Sequence, residues 1–366
     1  MRITTFIVLL LLSSFSYAQK KPLDHSVYDG WQNIAERLIS DNGNFIAFTV
    51  VPQEGDGHLY IKKKDGTNVA EIARGYNANM TDNSRFLICR IKPYFKDTRD
   101  VKIKKKRPEE MPKDSLAIVD LNSGKITKVA QVKSFKIADE QARFLAYHLE
   151  KKAVAPTPRA GQTDSTAKSA APVAPPTPRV AAEPFEEGTD LVVQNLLSGD
   201  TVVHHLVSEY FFNKKGNILL FETTKKTGDT KVKPQVVKVD LINNKQAVVL
   251  TGFNDAKAYR MDEAGTQLAF IAERDSSAKS LQKFYKLFYH KNGADSAVLL
   301  VQKNTNGMPV NFTLSENAQA ISFSKSGNRL FFGTAPILPV KDTLTPDFER
   351  VSVDVWHYKD DYLQPL

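Results

Sequence analysis

The apolar residues of this chain fall into short runs, and each run is entered through a tight polar turn. The first such phrase is Ser40-Asp41-Asn42-Gly43-Asn44-Phe45-Ile46-Ala47-Phe48. Asp, Asn and Gly suit a turn, because Asx side chains bond nearby backbone and Gly takes positive φ freely. The uninterrupted run from Phe45 to Phe48 predicts a strand buried on both faces. Near copies end at Cys89 (from Thr81), Tyr147 (from Glu140), Phe221 (from Asn213), Phe270 (from Asp262) and Phe332 (from Ser324).

A second phrase follows each copy: a strand, a turn and another strand. It is clearest in Leu116-Ala117-Ile118-Val119-Asp120-Leu121-Asn122-Ser123-Gly124-Lys125, and it returns at 191–200 and 236–245. Together the two phrases make a four-stranded antiparallel unit. Repetition of such a unit every 40 to 50 residues or so predicts an all-β fold, a β-propeller. An ordinary sandwich with chance similarity among its turns is the alternative. The closing residues are separated by 41, 58, 74, 49 and 62 positions. Removing the Pro/Ala-rich residues 153–184 reduces 74 to 42, and removing the Lys-rich residues 93–112 reduces 58 to 38. Both corrected spacings approach a blade length, which favours the propeller.

In chain order, Trp31 is expected to pack in the first blade, on its inner strand or just before it. That blade runs to about Ala73, with a hairpin at Lys64-Asp65-Gly66-Thr67. The second holds the basic insertion, expected as a solvated hairpin arm, and ends near Val132. The third starts from Phe135 and is interrupted by 153–184. That stretch has almost no large apolar residue and twice carries Pro-Thr-Pro-Arg; its composition predicts a disordered loop, a spacer or a docking motif. Strands resume at Leu191. The fourth blade covers about 208–251 and the fifth about 257–302. The sixth begins near Val310 and reaches Val351 to Trp356. No closing strand follows, so about six blades in an incomplete ring are expected.

Composition adds a compartment. Arg2, the apolar run Phe6 to Leu12 and Ser16-Tyr17-Ala18 form a tripartite export signal. Residues 1–18 are read as a signal peptide, leaving a propeller over 19–366 that is secreted or periplasmic. No segment is long and apolar enough to predict a membrane span. The net charge of +9 is concentrated in Lys102, Lys104, Lys105, Lys106 and Arg107. That run could meet a polyanion, although export argues against nucleic acid as a partner. The single cysteine, Cys89, falls in a predicted buried strand and reads as a small hydrophobe.

Candidate chemistry is sparse. There is no Gly-x-Ser-x-Gly elbow, His-Glu-x-x-His, Cys pair, calcium loop or phosphate loop. Ser123 and Ser198 read as turn residues. His204 and His205 are neighbours on a predicted strand and point to opposite faces, so they cannot share a metal. Glu109-Glu110 and Glu186-Glu187 flank the insertions and read as solvated loop. No catalytic, cofactor-binding or metal-binding residue is assigned, and no cofactor is expected.

The blade phrases, the opening Pro22-Leu23-Asp24-His25-Ser26-Val27-Tyr28-Asp29-Gly30-Trp31 and the closing Asp354-Val355-Trp356-His357-Tyr358-Lys359-Asp360-Asp361 resemble the N-terminal propeller of secreted serine peptidases of the prolyl oligopeptidase family, in particular large Bacteroidetes-like members. The resemblance implies a propeller that gates the entry of peptide substrates to a C-terminal α/β-hydrolase domain. That domain is the expected partner and is not encoded in these residues, so the resemblance transfers no catalytic residue and the chain alone is expected to be inactive. In the dipeptidyl peptidase branch, propeller glutamates hold the substrate's amino terminus; no motif here assigns that role to Glu109, Glu110, Glu186 or Glu187. The alternative function is a stand-alone periplasmic propeller that binds proteins or peptides without catalysis.

Overall fold

A computed structural model describes residues 25–151, 185–277, 280–340 and 359. The expected signal peptide, the Pro/Ala-rich insertion and residues 351–356 lie outside them. The chain divides into two compact units: Met1–Thr157 with Val192–Val202, and Pro158–Leu191 with Val203–Leu366.

The repeated turn is one hydrogen-bonded device, built five times among the described residues. Its first residue bonds the sixth in both directions. The Ser40 amide donates to the Phe45 carbonyl at 2.9 Å, and the Phe45 amide donates to Ser40 Oγ at 2.9 Å. Thr81 does the same for Phe86, Asn213 for Ile218, Asp262 for Gln267 and Ser324 for Arg329. Only short side chains with an acceptor oxygen can close this ring, which explains Ser, Thr, Asn and Asp at the position. The fourth residue has positive φ in every copy: Gly43, Ser84, Gly216, Gly265 and Gly327. The third phrase keeps the left-handed residue, Gln141, in a tighter turn.

At Gly265 the demand for glycine is double. Its φ is +70°, and a Cβ would stand 2.7 Å from Asn213 Nδ2 and 3.1 Å from Ile218 Cγ1. At Gly43 the φ is +67° but the space is open. Gly265→Ala is therefore expected to cost about 2–3 kcal/mol and Gly43→Ala about 1 kcal/mol, read as shifts in urea midpoint. Equal shifts would show that crowding at Gly265 is relieved.

In the first unit the strands β1 (Gln32–Ile39), β2 (Phe45–Pro52), β3 (His58–Lys63) and β4 (Asn68–Ala73) form one antiparallel meander. A second follows in β5 (Gly75–Met80), β6 (Phe86–Ile91), β7 (Ser115–Asp120) and β8 (Ile126–Val129). Then come β9 (Val132–Ile137), β10 (Phe144–Leu149) and β11 (Thr189–Asn195). The second meander thus ends at Val129, and Val132 already opens the next, three residues ahead of the expected Phe135. The first two sheets bury Leu59, Ile61, Ile72, Leu87 and Cys89 against each other. Ile88, Ile118, Leu145 and Val192 form the next layer. Turns also tie neighbours: the Asn42 amide donates to Ser84 Oγ, and the Gln141 and Ala142 amides donate to Asp82.

The second unit repeats the plan. β12 (Thr201–Phe212), β13 (Ile218–Thr223), β14 (Gln235–Asp240) and β15 (Lys245–Thr251) run antiparallel in that order as part of a seven-stranded sheet, and β16 (Asp255–Met261), β17 (Gln267–Glu273), β18 (Lys286–Lys291) and β19 (Val298–Val301) form a four-stranded one. Their shared core holds Leu220, Val236, Leu250, Phe253 and Phe270. Buried Lys238 crosses between them, donating to the Gly265 carbonyl at 2.7 Å and to Asn292 Oδ1 at 2.6 Å. The expected sixth blade is described only as two short pairs: β20 (Phe312–Leu314) with β23 (Thr334–Pro336), and β21 (Ser322–Phe323) with β22 (Leu330–Phe331). The architecture is all-β, with several four-stranded antiparallel meanders of the β-propeller blade type.

Three further expectations need correction. β2 is not buried on both faces: its burial alternates, with Phe45 and Ala47 inside and Ile46 and Phe48 half-exposed, because only one face is fully covered. β6, β10, β13 and β17 do carry runs of four or more buried residues. Trp31 lies just before β1, as one option had it, but it is 55% exposed and sits edge-on to Tyr28 at 4.9 Å rather than inside the blade. The Lys-rich insertion is not a hairpin but a helix, α1 (Phe95–Ile103), followed by a 3-10 turn at Pro108–Glu110. Asp97 in the first turn and Lys102 in the last complement the helix dipole.

Candidate functional site

Each unit carries a group of interacting polar side chains at the blade ends opposite the capped turns. The positions follow from the strands. Glu222 comes near the end of β13, one step after the buried closing residue Phe221. Asp255 starts β16, and Tyr259 lies further along it. Tyr259 is buried and donates its hydroxyl to Glu222 Oε2 at 2.8 Å. Tyr285 donates to Asp255 Oδ2 at 2.5 Å. Glu209 is the cross-strand partner of Glu222.

Burial dominates the electrostatics of this cluster. It pushes the Glu222 carboxyl up to about 7, against the lowering bond from Tyr259, and the nearby charges of Glu209 and Asp255 push the same way. The Tyr259 hydroxyl is held well above the ordinary phenol range by burial and by Glu222. Burial and the bond to Asp255 raise Tyr285 likewise. A carboxyl that titrates near neutrality beside hydrogen-bonded phenols can accept or release a proton and can hold a cationic group.

The corresponding end of the first unit is cationic and aromatic. Arg90 Nη2 lies 2.7 Å from Asp114 Oδ2, and Tyr76 donates its hydroxyl to the same oxygen. Lys92 Nζ is 4.9 Å from the Tyr76 ring centre, and the Arg74 guanidinium is 3.5 Å from that of Tyr94. The buried Nε atoms of Arg74 and Arg90 have no hydrogen-bond acceptor. This ledge offers guanidinium donors and exposed aromatic surface, the chemistry that receives carboxylates and carbonyl oxygens. A separate cavity of about 250 Å³ lies at the turn end of this unit, lined by Arg85, Asp120, Lys125, Thr127, Gln194 and Ser198. Arg85 and Asp120 approach to 3.9 Å across it.

The residues singled out from sequence are placed as follows. Ser123 and Ser198 sit in hairpin turns capped by Asp120 and Asn195. His204 packs on Phe221 while His205 points outward to Asp190, on opposite faces of β12. Burial and the neighbouring His205 lower the His204 pKa. Glu110 bonds Lys106 and the Arg107 amide, and Glu187 accepts from the Thr227 amide. Cys89 is fully buried, and burial pushes its thiol up to about 12. Among the described residues no group of three or more His, Cys, Asp or Glu is placed to hold a metal ion, and no helix is long and apolar enough to cross a membrane.

Sequence reasoning missed the Glu222 cluster and the Arg90 ledge. A signal existed. Aligning the phrase copies, the residue after the closing position reads Thr49, Arg90, His148, Glu222, Ile271 and Gly333. Polar types recur where strand continuation would favour apolar ones.

No protein-family model and no curated protein sequence matches the chain. Among solved structures, a eukaryotic initiation factor aligns with TM-score 0.42 and 10% identity, over 82% of this chain and 59% of that one. The β-propeller domain of the Trilobed protease from Pyrococcus furiosus aligns with TM-score 0.38 and 8% identity, over 79% and 75%. An acylaminoacyl peptidase from Pyrococcus horikoshii aligns with TM-score 0.35 and 9% identity, over 76% and 41%. The chain therefore spans about two fifths to three quarters of these proteins. At such scores the likenesses carry nothing about chemistry.

Proposed function

We propose that this chain is the peptide-screening propeller of a secreted peptidase of the prolyl oligopeptidase class, acting in front of a hydrolase domain. One observation carries the reading: both units present half-buried charged and aromatic side chains at the strand ends opposite the capped turns. Glu222 with Tyr259 suits an ammonium or amide donor, and Arg74 with Arg90 suits a carboxylate or carbonyl. Each cluster by itself matches a group that peptides carry. The resemblance of the opening and closing segments supports the same class, and the export signal supports a place outside the cytoplasm. Fold alone would not assign this role.

The test is peptide binding without turnover. Fluorescent proline- and alanine-containing tetrapeptides are expected to bind the purified chain. Chromogenic versions are expected to remain intact, and a serine-directed fluorophosphonate is expected to label nothing. Turnover with stoichiometric labelling of one serine would overturn the screening role, and so would failure to bind any of the peptides. Binding of folded proteins but not of short peptides would favour a stand-alone binding propeller.

A further inference from the structure

The helical insertion of the first unit has no part in the blades. No residue of α1 is buried, although it projects from a sheet whose central strands are almost wholly buried. With 3.6 residues per turn, Lys102, Phe95, Arg99, Ile103 and Lys96 fall within one arc of about 120°. All five are exposed. Asp97 and Asp100 fall outside that arc, and Asp100, next to its edge, is half-buried. The outward face therefore holds three cations, two large apolar side chains and no acid.

The chain past the helix extends this face. Lys104, Lys105, Lys106 and Arg107 are all exposed. Lys106 is paired with Glu110 at 2.9 Å. Ile103 stands 64% exposed between Lys102 and Lys104. Tyr94, at the foot of the helix, is 57% exposed.

We infer that this arm docks the protein on an anionic phospholipid surface. Charge complementarity names the headgroups: clustered Lys and Arg are attracted to an anionic leaflet, and each contributes separately. The apolar pair selects lipid over other polyanions. Ile103 and Phe95 stand inside the basic arc, where a sulfated sugar or a duplex phosphate backbone offers little apolar surface, whereas the headgroup–acyl boundary takes apolar side chains flanked by cations. The arm is short and its apolar area small, so docking is peripheral, reversible and sensitive to salt.

The experiment is cosedimentation of the full chain with vesicles of equal parts phosphatidylglycerol and phosphatidylcholine, against vesicles of phosphatidylcholine alone. Binding is expected to the anionic vesicles only, and it should weaken more than tenfold as salt rises from about 0.05 M to about 0.5 M. The triple variant Arg99→Gln, Lys102→Gln, Lys104→Gln is expected to lose on the order of a hundredfold in affinity, with the blades still folded by circular dichroism because all three residues are exposed. Ile103→Ser should weaken vesicle binding and leave heparin binding unaltered. No binding to the anionic vesicles overturns the inference, and so does equal binding by the triple variant. A chain that binds heparin or a DNA duplex but not vesicles overturns it in favour of a polyanion reader.

Discussion

Phe270→Ala is expected to destabilise the second unit by about 3–5 kcal/mol, the range for truncating a buried aromatic. Phe270 is 0% exposed at the middle of β17. Its ring stacks on Tyr259 at 5.3 Å and on Phe288 at 5.8 Å, and Tyr259 in turn meets Phe211 at 5.5 Å. Removing the ring opens a cavity and breaks an aromatic row that runs through both blades. Leu220, Val236 and Leu268, all in the same core, are strand residues held by ladder bonds and cannot collapse inward freely. Phe48 is the control. It closes the first copy of the same phrase and stacks on Tyr60 at 5.6 Å, but it is only half-buried. Phe48→Ala should cost less than half as much, since exposed area returns little on truncation. Urea denaturation followed by circular dichroism measures both. Equal costs would mean that the blade phrase, rather than burial, sets the energetics.

That comparison bears on what the sequence could reveal. The blades were legible because their constraint is local. A turn that must cap its own strand needs Ser, Thr, Asn or Asp at one position and positive φ three residues later, and both marks survive in Ser40, Thr81, Asn213, Asp262 and Ser324. The strands between them needed only apolar runs. How deeply each run is buried was not legible, because Phe48 and Phe270 occupy one position of the phrase and differ only in what neighbouring sheets cover. The helix at Phe95–Ile103 was hidden for another reason. Its apolar residues are too few to show a helical period, and the lysines around it read as loop. The Glu222 cluster was hidden because its contacts are distant in sequence. Tyr259 lies 37 residues beyond Glu222, and only the packing of β16 beside β13 makes a polar strand end into a buried pair.

Burial of that pair gives the protein a pH dependence that one substitution should remove. The folded-state pKa of Glu222 is about 7 against an ordinary 4.5. The shift is upward, so folding favours the protonated form. Below pH 4.5 or so both states are protonated and the group is neutral to stability. As pH rises from about 4.5 to about 7 the unfolded chain releases its proton first, and stability falls; above that the loss is complete. At 1.36 kcal/mol per pKa unit the whole loss is up to about 3 kcal/mol. Glu222 is met by Glu209 and Ser208 on β12 and by Asp255 and Tyr259 on β16, and none of these four is a cation that would compensate. Glu222→Gln keeps the shape and an oxygen that can accept the Tyr259 hydroxyl, and it cannot ionise. The variant should match the wild type at pH 5 within about 1 kcal/mol and exceed it at pH 8 by about 2–3 kcal/mol. Urea midpoints of both proteins at the two pH values read this directly. Parallel pH profiles would show that Glu222 ionises freely in the folded chain, and would remove the basis for treating it as a proton-exchanging group.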